Sequence, residues 1–165
     1  MRTHLALTAA MVFALAGCNQ NTALGNDREA QIDAAPTPAS IMGAAQALQN
    51  VTTALIKPET MSQADIAAIG GLNGKCAIRL TEVAHPSLVF QSGETAVIKL
   101  NGKLIPLAAS GASRFTDDGL SVILQPNGDE GDAGLQGMNM IVIPPGAEDE
   151  IGYAGFVDCS HGEEQ

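Results

Sequence analysis

The chain has 165 residues, a length that suits one domain with a hydrophobic core and leaves little room for a second. Acidic residues outnumber Lys and Arg by ten, which argues against binding to nucleic acid or to an anionic membrane surface through a basic patch. Nearly half of the residues are apolar, but the chain has no Trp, four Phe and one Tyr. We therefore expect a core built from Ala, Val, Ile and Leu.

The N-terminus has the features of a secretory leader. A basic start precedes an apolar run at 5–14, which is about half the length needed to span a bilayer as a helix. The run leads into Leu-Ala-Gly-Cys at 15–18, a sequence that resembles a bacterial lipobox. This resemblance implies a lipoprotein signal peptide at 1–17 and a lipid anchor on Cys18. Because Asn19 rather than Asp follows the cysteine, we expect a lipoprotein of the cell envelope, held at the outer membrane and facing the periplasm.

The other two cysteines, Cys76 and Cys159, are predicted to form a disulfide bond. A secreted protein folds in an oxidising compartment, where two such thiols pair. The alternative is a pair of free thiols or metal ligands, but His161 is the only further candidate ligand near them in the sequence. The bond would join the first predicted strand to the last.

Between the leader and the strands, the sequence predicts a tether and a helical segment. Residues 18–39 are rich in Asn, Asp, Ala, Thr and Pro, which favours a disordered tether. Residues 40–70 are predicted to form two short α-helices. Apolar residues recur at helical spacing until Pro58 ends the first helix, and a capping box that begins at Ser62 starts the second. The apolar stripe favours packing on the chain's own domain, although a partner could also bind it.

From 75 to 160 the apolar period changes to two, which predicts β-strands. The dipeptide at 101–102, Asn-Gly, favours a two-residue hairpin turn because both positions accept positive φ. Its register places Ile98 opposite Ile105. Short strands separated by Gly and Pro favour a small barrel or a sandwich. The seven predicted strands are 76–83, 87–91, 95–100, 103–108, 120–125, 138–143 and 151–158.

Acidic residues are concentrated after Arg114, where eleven acids and no Lys or Arg occur. This surface would attract a cationic partner, or else it simply keeps the protein soluble.

The acidic segment at 127–132 offers oxygen ligands for calcium, but its spacing is not that of an EF-hand, and a plain connecting loop is the alternative. No catalytic or metal-ligand motif is present in the sequence, so we expect neither an enzyme nor a cofactor.

Four segments in the second half of the chain occur in the order seen in a known family. They are Glu-Thr-Ala-Val-Ile-Lys-Leu-Asn-Gly-Lys-Leu-Ile-Pro-Leu at 94–107, Ala-Ser-Gly-Ala-Ser-Arg-Phe at 109–115, Asp-Gly-Leu at 118–120 and Asn-Gly-Asp-Glu at 127–130. This order resembles the membrane-bound inhibitors of c-type lysozyme, over roughly residues 76–159. The resemblance implies a mainly β fold: a small antiparallel β-barrel of about seven to eight strands at 75–160, here preceded by the two helices.

The resemblance also implies which residues would contact a partner. In that family, a loop with the pattern Ala-Ser-Gly-x-Lys/Arg-Tyr/Phe and a following Lys-Gly turn enter the lysozyme cleft and meet its catalytic carboxylates. The matching partner-binding residues here are Ser110, Gly111, Arg114 and Phe115.

Two positions depart from the family pattern. Ser113 is an additional residue before Arg114, and Gln-Pro-Asn at 125–127 precedes Gly128, so the lysine of the second motif is absent.

We expect an envelope lipoprotein that binds, and through this loop inhibits, a basic protein such as c-type lysozyme. The alternative is a non-inhibitory structural or binding lipoprotein with a different partner.

Overall fold

The computed structural model describes residues 36–160, so the predicted signal peptide, Cys18 and most of the predicted tether lie outside the described residues. Within this range the chain forms nine strands, two short α-helices and one 3₁₀ turn. None of the helices described is both long enough and apolar enough to span a membrane. The elements are β1 (Ser40–Ile41), α1 (Ala44–Ala47), the 3₁₀ turn (Thr53–Leu55), α2 (Gln63–Ala68), β2 (Cys76–Arg79), β3 (Leu88–Gln91), β4 (Thr95–Leu100), β5 (Lys103–Gly111), β6 (Arg114–Asp117), β7 (Leu120–Glu130), β8 (Gln136–Ile143) and β9 (Ile151–Asp158).

Strands β2 to β9 form a closed antiparallel barrel of eight strands, in which each strand pairs with its neighbours in the sequence. The barrel closes where β2 meets β9, with Ala77 opposite Asp158. The predicted disulfide between Cys76 and Cys159 is present and lies at this junction. The expectation of a small antiparallel barrel is therefore confirmed, and the sandwich alternative is not.

Side chains from alternate positions of the strands fill the interior of the barrel. In the β4–β5 hairpin, Ala96 lies opposite Leu107 and Ile98 opposite Ile105, and all four are buried. This is the predicted register, and both turn residues at 101–102 have positive φ. Further residues of the same core cluster include Ile78, Leu88, Phe90, Phe115, Leu120, Val122, Met140 and Val142.

The segment before the barrel covers the end that holds the β4–β5 and β6–β7 turns, which we call the covered end. Ala44, Leu48 and Ile56 pack against the interior core there. Next to them, the Asn101 side chain hydrogen-bonds to the backbone at 55–57. The helical segment therefore packs on the barrel of its own chain.

The single helix predicted to end at Pro58 is wrong, since the chain forms β1, a four-residue α1 and the 3₁₀ turn instead. Ile41 pairs with Leu104 in a short parallel ladder beside β5. The Ala44 N–H then donates to the Asp117 carboxylate at 2.6 Å. These partners lie far away in the sequence, and they bind backbone groups that a continuous helix would have used. Tertiary contacts thus override the helical periodicity.

Helix α2 begins at the predicted capping box. Ser62 Oγ accepts a hydrogen bond from the Asp65 N–H at 3.1 Å, and the Asp65 carboxylate accepts one from the Ser62 N–H at 2.7 Å. Its apolar side covers the outer face of β3, β4 and β5. The buried residues of this second cluster are Met61, Ile66, Val89 and Leu104.

Asp65 anchors the N-terminal segment to the barrel. Its side chain, only 1% exposed, accepts hydrogen bonds from Lys99 Nζ on β4 at 2.7 Å and from the Ala39 N–H at 2.6 Å. Burial alone would raise the pKa of Asp65, but these hydrogen bonds and those from Ser62 outweigh it and hold the pKa well below its usual range. One carboxylate therefore joins α2, β4 and the chain that leads into β1.

Three strand predictions need correction. Strand β6 was not predicted, because Phe115 is the only apolar residue in its four positions and no alternation is visible. Strand β7 continues beyond the predicted end to Glu130, across Pro126 and Gly128, which are uncommon in strands. Strand β2 ends at Arg79, and the residues that follow form a loop instead of continuing the strand.

Replacement of Asp65 by Asn should lower the free energy of unfolding by about 2–4 kcal/mol at neutral pH, because Lys99 loses the charge that faces it in a buried pair. A folded-state pKa below the unfolded value of about 3.9 contributes stability above that pH and loses it on acidification. Wild-type stability should therefore fall as the pH drops below about 4, and D65N should lack this component. Chemical denaturation at pH 7 and pH 3 measures both effects.

The matched control for D65N is Asp149→Asn, which neutralises an exposed carboxylate in the β8–β9 loop. This control should keep the wild-type stability and its acid dependence. Equal stability of D65N and D149N at both pH values would contradict the anchoring role of Asp65.

Replacement of both Cys76 and Cys159 by Ala should lower the free energy of unfolding by roughly 2–5 kcal/mol, since the cross-link spans 83 positions. The variant should still form the barrel, because the β2–β9 ladder does not need the sulfur atoms. Urea denaturation with and without a reductant measures the effect. Wild-type protein that is equally stable in both conditions would contradict the contribution of the bond.

Candidate partner-binding surface

The turn between β5 and β6 brings together three of the four predicted partner-binding residues. Strand β5 ends at Gly111 and β6 begins at Arg114, and these two residues pair across the turn at 112–113. Ser110, Gly111 and Arg114 are all exposed. Ser110 Oγ donates to the carbonyl oxygen of Arg114 over 3.5 Å. The sequence prediction that Ser110 and Arg114 belong to one surface loop therefore has a geometric basis.

Ser110 points outward from a β-bulge. Ala109 pairs with Phe115 and Gly111 pairs with Arg114, so Ser110 has no residue opposite it. A bulge bends the strand locally and redirects the side chain of the additional residue. The hydroxyl of Ser110 is thus presented at the start of the turn.

Two neighbouring elements hold the β5–β6 turn in place. Ser92 Oγ, in the β3–β4 turn, donates to the carbonyl oxygen of Ala112 at 3.1 Å. On the other side, the Leu124 N–H of β7 donates to the carbonyl oxygen of Ser113 at 2.9 Å. Alternate turns of an up-and-down barrel lie at the same end. The β5–β6 turn therefore sits opposite the covered end, together with the β3–β4 and β7–β8 turns.

Phe115 does not share this surface, which corrects its assignment as a partner-binding residue. Its side chain is fully buried, and its ring centroid lies 5.8 Å from that of Phe90 at an interplanar angle of 59°. Successive strand residues face opposite sides, so the exposure of Arg114 places Phe115 inside. Phe115 supports the turn from the core and is not available to a partner.

Arg114 is a cation beside an acidic hairpin. Within residues 36–160, no carboxylate forms an ion pair with Arg114. Asp129, Glu130 and Asp132 are exposed on the β7–β8 hairpin, whose strand β7 pairs with β6. The surface therefore combines one unpaired positive charge with a negatively charged neighbour.

Strand β7 runs on past the β5–β6 turn. Its residues 125–130 follow Leu124, the residue that bonds to the turn, and their pairing with β8 is irregular between Pro126 and Glu130. We call residues 125–137 the overhanging hairpin end. It carries an open groove of about 410 Å³, and the lining residues include Gly128, Gly134, Gly137, Asp129 and Glu130.

The position of the absent family lysine lies at the start of the overhanging hairpin end. Asn127 occupies this region, and its Oδ1 accepts from the Asp129 N–H at 3.0 Å while its Nδ2 donates to Asn139 Oδ1 at 3.3 Å. The chain has no Lys or Arg after Arg114. Arg114 is thus the only cationic side chain that either of the two matching motifs supplies.

Residues 127–132 carry the oxygen ligands that the sequence offers for calcium. In the part of the chain that the structure describes, no group of three or more His, Cys, Asp or Glu side chains is arranged to hold a metal ion. The carboxylates of Asp129, Glu130 and Asp132 are exposed on the hairpin.

Sequence reasoning missed Glu82, which holds the tip of the overhanging hairpin end. Its carboxylate accepts hydrogen bonds from the N–H groups of Asp132 at 2.9 Å and Ala133 at 2.6 Å. Gly131 permits this approach, because a Cβ at that position would collide with the Glu82 carboxylate. The partners are 50 residues apart in the sequence, and no local motif links them.

Comparison with known proteins gives a family but no activity. No curated protein and no solved structure matches the chain. The sequence profile of one family, described as a domain of unknown function (DUF6692), matches residues 14–162 and so spans both the N-terminal segment and the barrel. The chain therefore belongs to the DUF6692 family.

Proposed function

We propose that this protein is a lipid-anchored envelope protein whose barrel binds and inhibits a c-type lysozyme through the β5–β6 turn. The observation that carries the proposal is that Ser110 and Arg114 are exposed together on one hairpin turn at the end of an eight-stranded barrel. These are two of the residues for which the family resemblance implies contact with the lysozyme cleft.

Arg114 would supply the charge that this mode of inhibition needs. The lysozyme cleft holds two carboxylates that act on the glycosidic bond. A guanidinium group can bind carboxylates through two parallel hydrogen bonds, and it stays protonated at all relevant pH values. An Arg114 side chain inserted into the cleft would therefore neutralise the catalytic pair and occupy the space of the sugar, while the Ser110 hydroxyl adds a hydrogen bond.

The acidic hairpin beside the turn suits a partner that is basic outside its cleft. Asp129, Glu130 and Asp132 would attract such a protein and orient it as it approaches the turn. Because these carboxylates are exposed, salt should screen the attraction and slow the association.

The direction in which the chain meets the barrel also supports the proposal. Residues 39–41 reach the barrel beside Lys103, the first residue of β5, at the covered end. Strand β5 then runs to the opposite end, where it reaches the turn. The described N-terminal segment therefore leaves the end that carries the β5–β6 turn open to a partner.

The missing lysine of the second motif favours one other candidate function. With Arg114 as the cation that the matching loop supplies, the same turn and the same acidic hairpin could bind a basic envelope protein without blocking an active site. The lipoprotein would then act as a binding or structural module.

Purified protein should slow the lysis of peptidoglycan by a c-type lysozyme at near-equimolar ratios. Arg114→Ala should weaken this inhibition at least tenfold, because it removes the charge that faces the two carboxylates, and Ser110→Ala should weaken it a few-fold. Turbidity assays over a range of inhibitor concentrations measure both effects.

Lys57→Ala is the matched control for R114A, since it removes another exposed cation at the covered end. It should inhibit like the wild type. No inhibition at a large molar excess of wild-type protein would contradict the proposal. Salt-sensitive binding of a lysozyme without loss of its activity would support the second candidate.

A further inference from the structure

We infer that the outer face of β6, β7 and β8 is a second part of the partner-contact surface, with Ile123 and Ile141 as its apolar centre. The inference rests on the proposed function, in which the β5–β6 turn contacts a c-type lysozyme. It extends that contact from the turn onto the side of the barrel, and it adds two residues that the family resemblance does not assign.

Strand pairing places both isoleucines in line with Arg114. Arg114 of β6 pairs with Ile123 of β7, and Ile123 pairs with Ile141 of β8. Side chains that are directly opposed in an antiparallel pair lie on one face, with their Cβ atoms about 4.5–5.5 Å apart. Arg114 and the two isoleucines therefore form one row across three strands.

This row lies on the outside of the barrel. The residues on either side of each isoleucine in its strand are buried in the interior core: Val122, Leu124, Met140 and Val142. Because successive strand residues face opposite sides, Ile123 and Ile141 point outward. Both are half-buried, and neither belongs to either buried cluster of the described residues.

Helix α2 does not cover this side of the barrel. It packs on the outer face of β3, β4 and β5, and within residues 36–160 its apolar cluster contains no residue of β6 to β9. Ile143, two residues along β8 from Ile141, is also half-buried and faces the same side. The outer face of β7 and β8 thus carries apolar side chains that α2 leaves uncovered.

The β5–β6 turn is too small to hold a protein partner by itself. It offers the five residues at 110–114, whereas a stable interface takes about 800 Å² from each partner, or roughly 20–30 residues. Arg114 belongs both to the turn and to the row on the outer face. A partner seated on the turn therefore gains the missing contact area most directly on the row that Arg114 begins.

The charges around the row indicate which kind of partner fits it. Exposed carboxylates of Asp129 and Glu130 lie further along β7, and the exposed acidic run at 148–150 precedes β9, whose Gly152 pairs with Ile141. An apolar centre with a charged rim is usual for protein interfaces. A basic protein with apolar side chains beside its positive ones fits this surface. A second copy of the chain does not, since it would bring like charges together.

Methyl NMR of the isoleucine-labelled protein tests the contact without any substitution. As a c-type lysozyme is added, the δ1-methyl signals of Ile123 and Ile141 should shift or broaden. The signal of Ile41, which is half exposed in β1 at the covered end, should stay in place. Dilution of the protein alone should move none of the three signals.

The substitutions Ile123→Thr and Ile141→Thr test the energetic contribution of the row. Threonine keeps the β-branched shape that suits a strand but offers less apolar surface. Each substitution should weaken binding to an immobilised lysozyme roughly fivefold, and the double variant at least about tenfold, mainly through faster dissociation. The matched control is Ile41→Thr, which should bind like the wild type. If a threonine variant does not fold, the methyl titration of the unsubstituted protein decides the question.

The outcomes separate the inference from the function on which it rests. Wild-type affinity in the folded double variant, or isoleucine methyl signals that stay in place while the lysozyme is inhibited, would overturn the inference and leave the proposed function standing. Methyl shifts that depend on protein concentration without lysozyme would assign the face to a second copy and would also overturn it. If the wild-type protein neither binds nor inhibits a c-type lysozyme, the proposed function fails and this inference fails with it.

Discussion

The pairing of β2 with β9 is the constraint on which the rest of the molecule depends. It closes the sheet, so that every barrel strand has a neighbour on both sides, and the Cys76–Cys159 bond secures this junction. Closure of an up-and-down meander also sorts the turns between the two ends of the barrel. The β5–β6 turn and the β7–β8 hairpin are brought to one end for this reason, although nothing in their local sequences requires them to meet.

The two ends of the barrel have different roles in this account. The covered end receives the N-terminal segment, which is fastened by the buried Asp65 carboxylate to Lys99 and to the backbone of Ala39. The opposite end presents the β5–β6 turn, whose position is set by Ser92 and Leu124. The barrel thus separates the attachment of the chain from the surface that we propose for recognition.

Local signals predicted the parts of the structure that local interactions determine. The Asn-Gly turn at 101–102, its register and the capping box at Ser62 depend on residues close in sequence, and all three are present. The helix predicted before Pro58 does not form, because Leu104 and Asp117 bind backbone groups of this segment. Distant partners of this kind leave no periodic pattern in the sequence.

The candidate surface likewise combines features that depend on residues close in sequence with features that depend on distant partners. Ser110 and Arg114 could be found from a motif, because they lie on one hairpin, but the motif did not show that Phe115 faces the core. Glu82 could not be found at all, since its role depends on the path of a loop 50 residues away. Strand β7 likewise passed through Pro126 and Gly128, where propensity predicts an end.

Mapping of amide chemical shifts in the isotope-labelled protein, as a c-type lysozyme is added, tests the central claim most directly. We predict that the perturbed amides cluster at 110–114 and along the overhanging hairpin end, while those of the covered end stay in place. Perturbations centred on α1 or α2, or a spectrum that does not change at saturating lysozyme, would contradict the account.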